Sequence, residues 1–515
     1  MTLKLMDFIH AMPLIFMVGW ACLVLLCDAL GRSRSPRLWP LAALGLLLGL
    51  GYVVYSWIVH PQPMNNLFGG MVLWDRYALF FDALFMLAAL LTILLAGPFM
   101  KEHRFGFGEF HSLVLLTVVG MMLLVHSGDF VMLVIGLETM SLGIYALVAS
   151  WSSGATGGAG ESAQPGVQFG SSSKKSAEAG LKYYVMGAVA SAFLLYGIAL
   201  IYGATAETSL VALGHKSGGL VGNRLFLAGM FMVMGAMAFK VALVPFHAWT
   251  PDAYEGAPTP VTGFMAAAVK AAAFAVLLRV FTLVFGGEGY VFGLAGWSDI
   301  FEWLAILTMV LGNLAALRQA NIKRMLAYST IAHAGYIMVG VIAAGVLSPQ
   351  KSAPVLYYLL AYTVTTIGAF GVVAWIGSRD DERVGLDRWD GLASRHPAAA
   401  AVMTLFMLSL AGIPPTAGFF AKFYLFRVAL EHPGLLPIVL VAVANSVVSV
   451  YYYLRPVVAM YFHDAPEGAA PPRPLSSGAV TLALVVAALL VLALGILPSQ
   501  YLDWAGQSVA SAILG

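Results

Sequence analysis

The chain holds 515 residues, 60% of them hydrophobic and only 10% charged. Soluble domains carry about 25% charged residues, so a water-soluble globular protein is excluded. The near-balanced formal net charge of +2 implies neither a nucleic-acid nor an acidic partner, and two cysteines, Cys22 and Cys27, cannot hold an iron–sulfur centre.

Both cysteines lie in the first apolar run and read as small packing residues. No CxxCH is present to attach haem. Runs of about 20 mostly apolar residues mark membrane helices. In chain order they predict fourteen, near 8–30, 38–59, 77–99, 109–127, 130–152, 178–203, 224–247, 258–284, 300–318, 325–347, 354–377, 397–428, 435–461 and 476–498. The expected fold class is an all-α polytopic membrane protein.

The opening "MTLKLMDFIHAMPLIFMVGWACLVLLCDAL" has one Lys, an early Asp and no small-residue cleavage site after the apolar run. It reads as a retained span rather than a signal peptide. No soluble domain is expected. The longest connection, 152–175, is Gly/Ser-rich and flexible, and residues 377–396 carry both signs of charge as a solvated connector.

Lysine and arginine set the orientation. With the N-terminus outside, sixteen of the 27, Lys323 among them, fall in cytoplasmic loops and seven, including Arg279 at the end of its span, on the outer side. Both termini are then on the outer side. The remaining four, Lys182, Lys240, Lys270 and Lys422, fall within predicted spans. A charge at the bilayer centre costs at least about 2.5–3.5 kcal/mol on insertion scales, so each demands a reason.

Lys270, in "AAAVKAAAF", lies too deep to snorkel, and alanines cannot satisfy its ammonium. Lys240 in "MVMGAMAFKVALVPF" and Lys422 in "PPTAGFFAKFYLF" are also internal. Lys182, beside Tyr183 and Tyr184 near the start of its span, can either snorkel or function. One mid-span carboxylate matches them, Glu138 in "FVMLVIGLETMSLGIYALV". Burial favours the neutral form of each group, and a partner of opposite charge favours ionisation. A lysine whose carboxylate partner is altered therefore becomes a switchable proton donor. His333, in "LAYSTIAHAGYIMV", can relay protons near neutral pH or simply bond neighbouring helices. His247 lies at a break, where a structural role is equally open.

Pro245 and Pro251 interrupt the seventh span, Pro258 and Pro260 precede the eighth, and Pro414-Pro415 interrupt the twelfth. Proline removes an intrahelical hydrogen bond, and in lipid the freed groups must face protein or a water-lined cavity. Discontinuous helices in matching halves mark ion-translocating folds. Residues 181–203 align without gaps to 355–377, with Tyr-Tyr pairs and glycines coinciding. The expected organisation is residues 1–108 (helices 1–3), a first five-helix repeat over 109–284, a second over 300–461, and residues 462–515 with helix 14. Five is odd, so the second repeat is expected to be inverted.

The run "KVALVPFHAWTPDAYEGAPTPVTGFMAAAVKAA", with "NLAALRQANIKRMLAYSTIAHAGY" and "LSLAGIPPTAGFFAKFYLF", resembles the antiporter-like membrane subunits of respiratory complex I and their cation/proton antiporter relatives. The resemblance covers spans 3 to 13. It implies two inverted five-helix bundles, each with a proton half-channel, joined by a polar axis. Position by position, Glu138, Lys240, Lys270 and Lys422 match the family's fifth-, seventh-, eighth- and twelfth-helix residues. Lysine rather than glutamate at 422 argues against the M-type. The short tail argues against the L-type, and Lys182 resembles the N-type.

The resemblance further implies a proton-translocating subunit without a redox centre. NADH, FMN, iron–sulfur clusters and quinone would belong to partner subunits, with K- and M-type neighbours in a bacterial inner membrane. Glu138, Lys240, Lys270, His333, Lys422 and Lys182 are the expected relay. The rival readings are a sodium or potassium/proton antiporter and a structural scaffold. Four intramembrane lysines against one carboxylate argue against the scaffold. A dinucleotide fingerprint is absent, and no metal or cofactor is expected in this chain.

Overall fold

Among the described residues of the computed structural model, eleven helices are long and apolar enough to cross a membrane. The structure describes residues 5–30, 38–59, 66–103, 109–153, 171–291, 296–377, 382–465, 474–475 and 477–513. In chain order the main helices are α1 (Met12–Leu30), α2 (Trp39–Val59), α3 (Arg76–Glu102), α4 (Phe110–Val125), α5 (Phe130–Ser153), α6 (Ser171–Thr205), α7 (Arg224–Lys240) and α8 (Trp249–Gly256). Then follow α9 (Thr259–Leu283), α10 (Trp297–Leu317), α11 (Ile322–Leu347), α12 (Ala353–Ile376), α13 (Pro397–Ala411), α14 (Ala417–Ala429), α15 (Leu436–Phe462), α16 (Gly478–Ile496) and α17 (Pro498–Ile513).

The predicted fourteen spans map onto these eleven plus α4, α7 and α13, which at 16, 17 and 15 residues are shorter than a full crossing. The twelfth span resumes after its break as α14, whereas α8 follows the end of the seventh, in the connection to α9. Among the described residues the β-structure is a pair of two-residue strands between α2 and α3, with Asn66 opposite Leu73. Helix starts follow local chemistry: Asp75 caps α3, Asn223 caps α7 and Asn321 caps α11, each accepting from backbone N–H groups of the first turn.

Burial orders the bundle. Every residue from 257 to 281 is buried, so α9 is its axis. Helices α11 and α12 are nearly as enclosed, whereas α1, α6 and α15 show apolar faces outward, as lipid-facing helices do. Several residues of the orientation argument, Lys4, Arg32, Arg34, Arg37, Arg104, Arg379 and Arg473, lie outside the described residues. So does most of the 152–175 loop.

The two breaks share one local pattern. Ala242 (φ 60°) precedes a cis Val244–Pro245 bond, and Gly412 (φ 85°) precedes a cis Pro414–Pro415 bond at the same interval. Pro415 thus stands where Pro245 does. Backbone groups freed at the first break find protein partners. The Val244 N–H donates to Thr308 Oγ1 at 2.9 Å, and Trp249 Nε1 donates to the Phe239 carbonyl at 3.3 Å. Pro251, read as an interruption, instead lies in the first turn of α8, where its missing N–H has no intrahelical role.

Candidate functional site

Glu138, Ser141 and Tyr145 follow i, i+3, i+7 spacing and form one stripe along α5. The Ser191 hydroxyl of α6 donates to Glu138 Oε1 at 2.5 Å. Lys240, at the last turn of α7, is buried; its Nζ donates to Ser141 Oγ at 2.9 Å and approaches the Tyr145 hydroxyl at 3.5 Å. Glu138 and Lys240 form no direct ion pair, but lie within electrostatic reach of one another. The amine thus meets two hydroxyls of the same α5 stripe that carries the acid.

Lys270 occupies the middle of the axial helix, just after a wide π-type turn over Met265–Val269. Such turns are frequent at functional sites. Its Nζ donates to the Thr330 carbonyl of α11 at 2.6 Å. One turn further along α11, His333 is clamped between two phenols: Nδ1 lies 2.7 Å from the Tyr358 hydroxyl and Nε2 3.0 Å from the Tyr453 hydroxyl. The Tyr453 hydroxyl also bonds Ser329. One ring nitrogen donates and the other accepts in the neutral form, so the ring can pass a proton between its partners. His333 is within electrostatic reach of both Lys270 and Lys422.

Lys422, on α14 beyond the second break, turns back toward α13. Its Nζ donates to the Leu410 and Ala411 carbonyls at 3.2 and 2.9 Å and to Ser446 Oγ at 2.9 Å. The broken C-terminus of α13 thus offers its free carbonyls, the negative end of the helix dipole, to the ammonium. Between His333 and this break is a cavity of about 10 Å³, lined by Tyr358, Thr365, Ser409 and Leu410. That is about one water in size, with polar partners on its walls.

Lys182 does not join this row. It is 47% exposed and pairs with Glu178 at 2.7 Å and Asp252 at 3.0 Å. Arg324 bonds Asp252 and Glu255 at 3.0 and 2.8 Å. With Lys175 these side chains make a charged mouth around an open pocket of about 160 Å³. Partial burial opposes ionisation of Asp252, but its Lys182 and Arg324 bonds outweigh that and hold its carboxyl below the ordinary value. His247 sits half-buried in the first break.

Sequence reasoning missed three buried charged contacts. Asp82 pairs with His126 at 2.9 Å, both wholly enclosed. Arg279, expected outside, is buried against Asp75 at 2.6 Å, and its guanidinium lies over the Tyr77 ring. Lys323, expected in a loop, is buried and bonds Glu382 at 3.3 Å and the Ala257 carbonyl at 2.8 Å. Glu138 is thus not the lone carboxylate in the spans. The Asp82 signal was present in "FFDALFM", a carboxylate inside an apolar run. Among the described residues, no group of three or more His, Cys, Asp or Glu is placed to hold a metal.

Residues 167–449 match the family model described as NADH:quinone oxidoreductase/Mrp antiporter, transmembrane region. The chain is 43% identical to NADH-quinone oxidoreductase subunit N 1 of Sorangium cellulosum, over 98% of this chain and 99% of that one. It superposes on a chain of respiratory complex I from Thermus thermophilus with a TM-score of 0.76 and 34% identity, covering 96% of this chain and 99% of that one. A chain of the Mrp complex from Dietzia has a TM-score of 0.80 at 20% identity, covering 98% and 97%, a likeness of fold alone.

Proposed function

The chain belongs to the subunit N branch of the NADH:quinone oxidoreductase/Mrp antiporter family, and from that premise we propose that it carries protons across the membrane for such an oxidoreductase. Electron transfer from NADH to quinone takes place in other subunits, and this chain supplies no redox centre. The carrying observation is the buried row of Lys240, Lys270, His333 and Lys422, each bonded to a hydroxyl or carbonyl.

Glu138 sets the charge state of Lys240 through space, with Ser141 and Tyr145 as the hydroxyls beside the amine. Protons move by Lys270 and His333 to Lys422, with room for about one water on the last leg. Lys182 stands at the charged mouth with Asp252, outside the buried row. The chain sits in a bacterial inner membrane with both termini periplasmic, beside K- and M-type membrane subunits. Residues 109–284 and 300–461 act as the two inverted halves, supported by the shared pattern of the breaks.

Lys240→Ala and Lys422→Ala, made in the assembled complex, are expected to lower NADH-driven proton transport per electron by about tenfold or more. Full transport in both would overturn the assignment. Absence of flavin and iron–sulfur absorbance from the complex purified from native membranes would favour a cation/proton antiporter instead.

A further inference from the structure

Outside the buried row, an apolar groove of about 490 Å³ opens on the outer face of the bundle. Helices α2, α3, α12, α16 and α17 wall it, through Trp57, Phe80, Leu87, Leu360, Leu490 and Trp504 among others. Its volume is within the roughly 300–1,000 Å³ of small-molecule sites, but its lining is almost wholly hydrocarbon. Along α3 the lining runs from Leu79 to Leu87, about 12 Å at 1.5 Å per residue. The groove is a slot parallel to the helices, as deep as part of an acyl chain.

One end of the slot carries a cation. Arg76 begins α3, one turn before Leu79, and its guanidinium lies 5.2 Å from the centroid of the Trp57 ring. Among the described residues it has no ion pair, and its Nε is buried without a hydrogen-bond partner. The adjacent carboxylate, Asp75, is already committed to Arg279. Helix α17 packs against this end: its Ser511 hydroxyl accepts from the Arg76 N–H at 3.0 Å, and two turns earlier its Trp504, half-exposed beside Tyr501, lines the groove. Tryptophan and tyrosine of this kind mark the headgroup level of a bilayer. A guanidinium short of a partner, placed there, is matched by phosphate, which arginine binds with paired donors.

We propose that this groove holds one anionic phospholipid, an acyl chain in the slot and the phosphate on Arg76. The juxtaposition selects a lipid over a neighbouring protein helix. An apolar slot ends on a guanidinium short of a hydrogen-bond partner, whereas a transmembrane helix would bring apolar surface to both. The Arg76 guanidinium favours a negatively charged headgroup over a zwitterionic one.

The test is native mass spectrometry of the assembled complex, washed and then titrated with phosphatidylglycerol or phosphatidylcholine. Unmodified complex is expected to keep one phosphatidylglycerol that Arg76→Gln and the groove-filling Ala83→Trp bind about tenfold more weakly, with phosphatidylcholine weaker throughout. A diazirine-labelled phosphatidylglycerol added to unmodified complex should label peptides covering 50–58 and 79–87, whatever the variants do. Equal retention in all three proteins, no labelling of those peptides, or a helix of another subunit occupying the groove would overturn the proposal.

Discussion

The two broken helices use one backbone pattern to house their lysines in opposite ways. In the first, Lys240 comes before the break, at the end of α7, and its ammonium meets side-chain hydroxyls on another helix. In the second, Lys422 comes after the break and reaches back to bare carbonyls of α13. Hydroxyls both donate and accept and can reverse their bonds, whereas carbonyls only accept. The first lysine therefore has partners through which a proton can move, with an acid, Glu138, in electrostatic reach. The second has one hydroxyl partner, Ser446, and is otherwise held by fixed dipoles. Its charge is supported by helix geometry rather than by a titrating neighbour.

Replacing each amine by an isosteric apolar chain separates these cases most widely. Lys240→Met and Lys422→Met both remove a buried charge, so relief from desolvation is common to the two. Only Lys422→Met also orphans two buried carbonyls, at about 1–3 kcal/mol each. The assembled complex should therefore lose about 2 kcal/mol or more stability in Lys422→Met relative to Lys240→Met, read as thermal inactivation in detergent. Equal losses would mean that the α13 carbonyls find other donors.

A narrower contrast lies at the matched turn residues. Gly412 has φ 85° and Ala242 has φ 60°, in the left-handed region that costs a non-glycine residue about 1–2 kcal/mol. A Cβ at 412 would also lie 3.1 Å from Lys422 Cδ and 3.3 Å from its Nζ. Gly412→Ala should cost about 1–2 kcal/mol and weaken proton transport by displacing the amine. Ala242→Gly relieves strain but deletes a buried methyl worth about 0.8 kcal/mol, so its stability should change by less than about 1 kcal/mol. Denaturation midpoints and transport assays on the two variants check both halves. A larger effect at 242 would reverse the comparison.

How much of this was legible in the chain depends on how local each signal is. Spans are announced by composition, and prolines locate both breaks; Lys240, Lys270 and Lys422 stand out because hydrocarbon surrounds them in sequence. The partners were not legible. Ser141, Thr330 and Ser446 are ordinary helix residues until packing sets an ammonium against them. The Asp75–Arg279 pair joins residues 204 apart, and Arg279 falls near the end of an apolar run where sequence alone reads a surface. Lys182 shows the same limit from the other side: the Asp252 that holds it lies 70 residues away. Helix α17 escaped because it is short and only half apolar, with Trp504 outward and Ala505, Ser508 and Val509 inward.

The finest contrast concerns the single serine at each amine. Ser141 Oγ accepts a hydrogen bond from Lys240 Nζ at 2.9 Å while donating to the Leu137 carbonyl at 2.6 Å. Without it Lys240 keeps only the longer approach to Tyr145. Ser446→Ala leaves Lys422 its two carbonyls, so the ammonium remains bound. Each substitution removes one hydrogen bond worth about 0.5–1.5 kcal/mol, too little to disturb assembly in either case. Transport should nonetheless fall several-fold in Ser141→Ala and stay near the unmodified rate in Ser446→Ala. If proton movement at Lys240 ran through Glu138 directly, Ser141→Ala would be as silent as Ser446→Ala, and the hydroxyl pair on α5 would be packing rather than path.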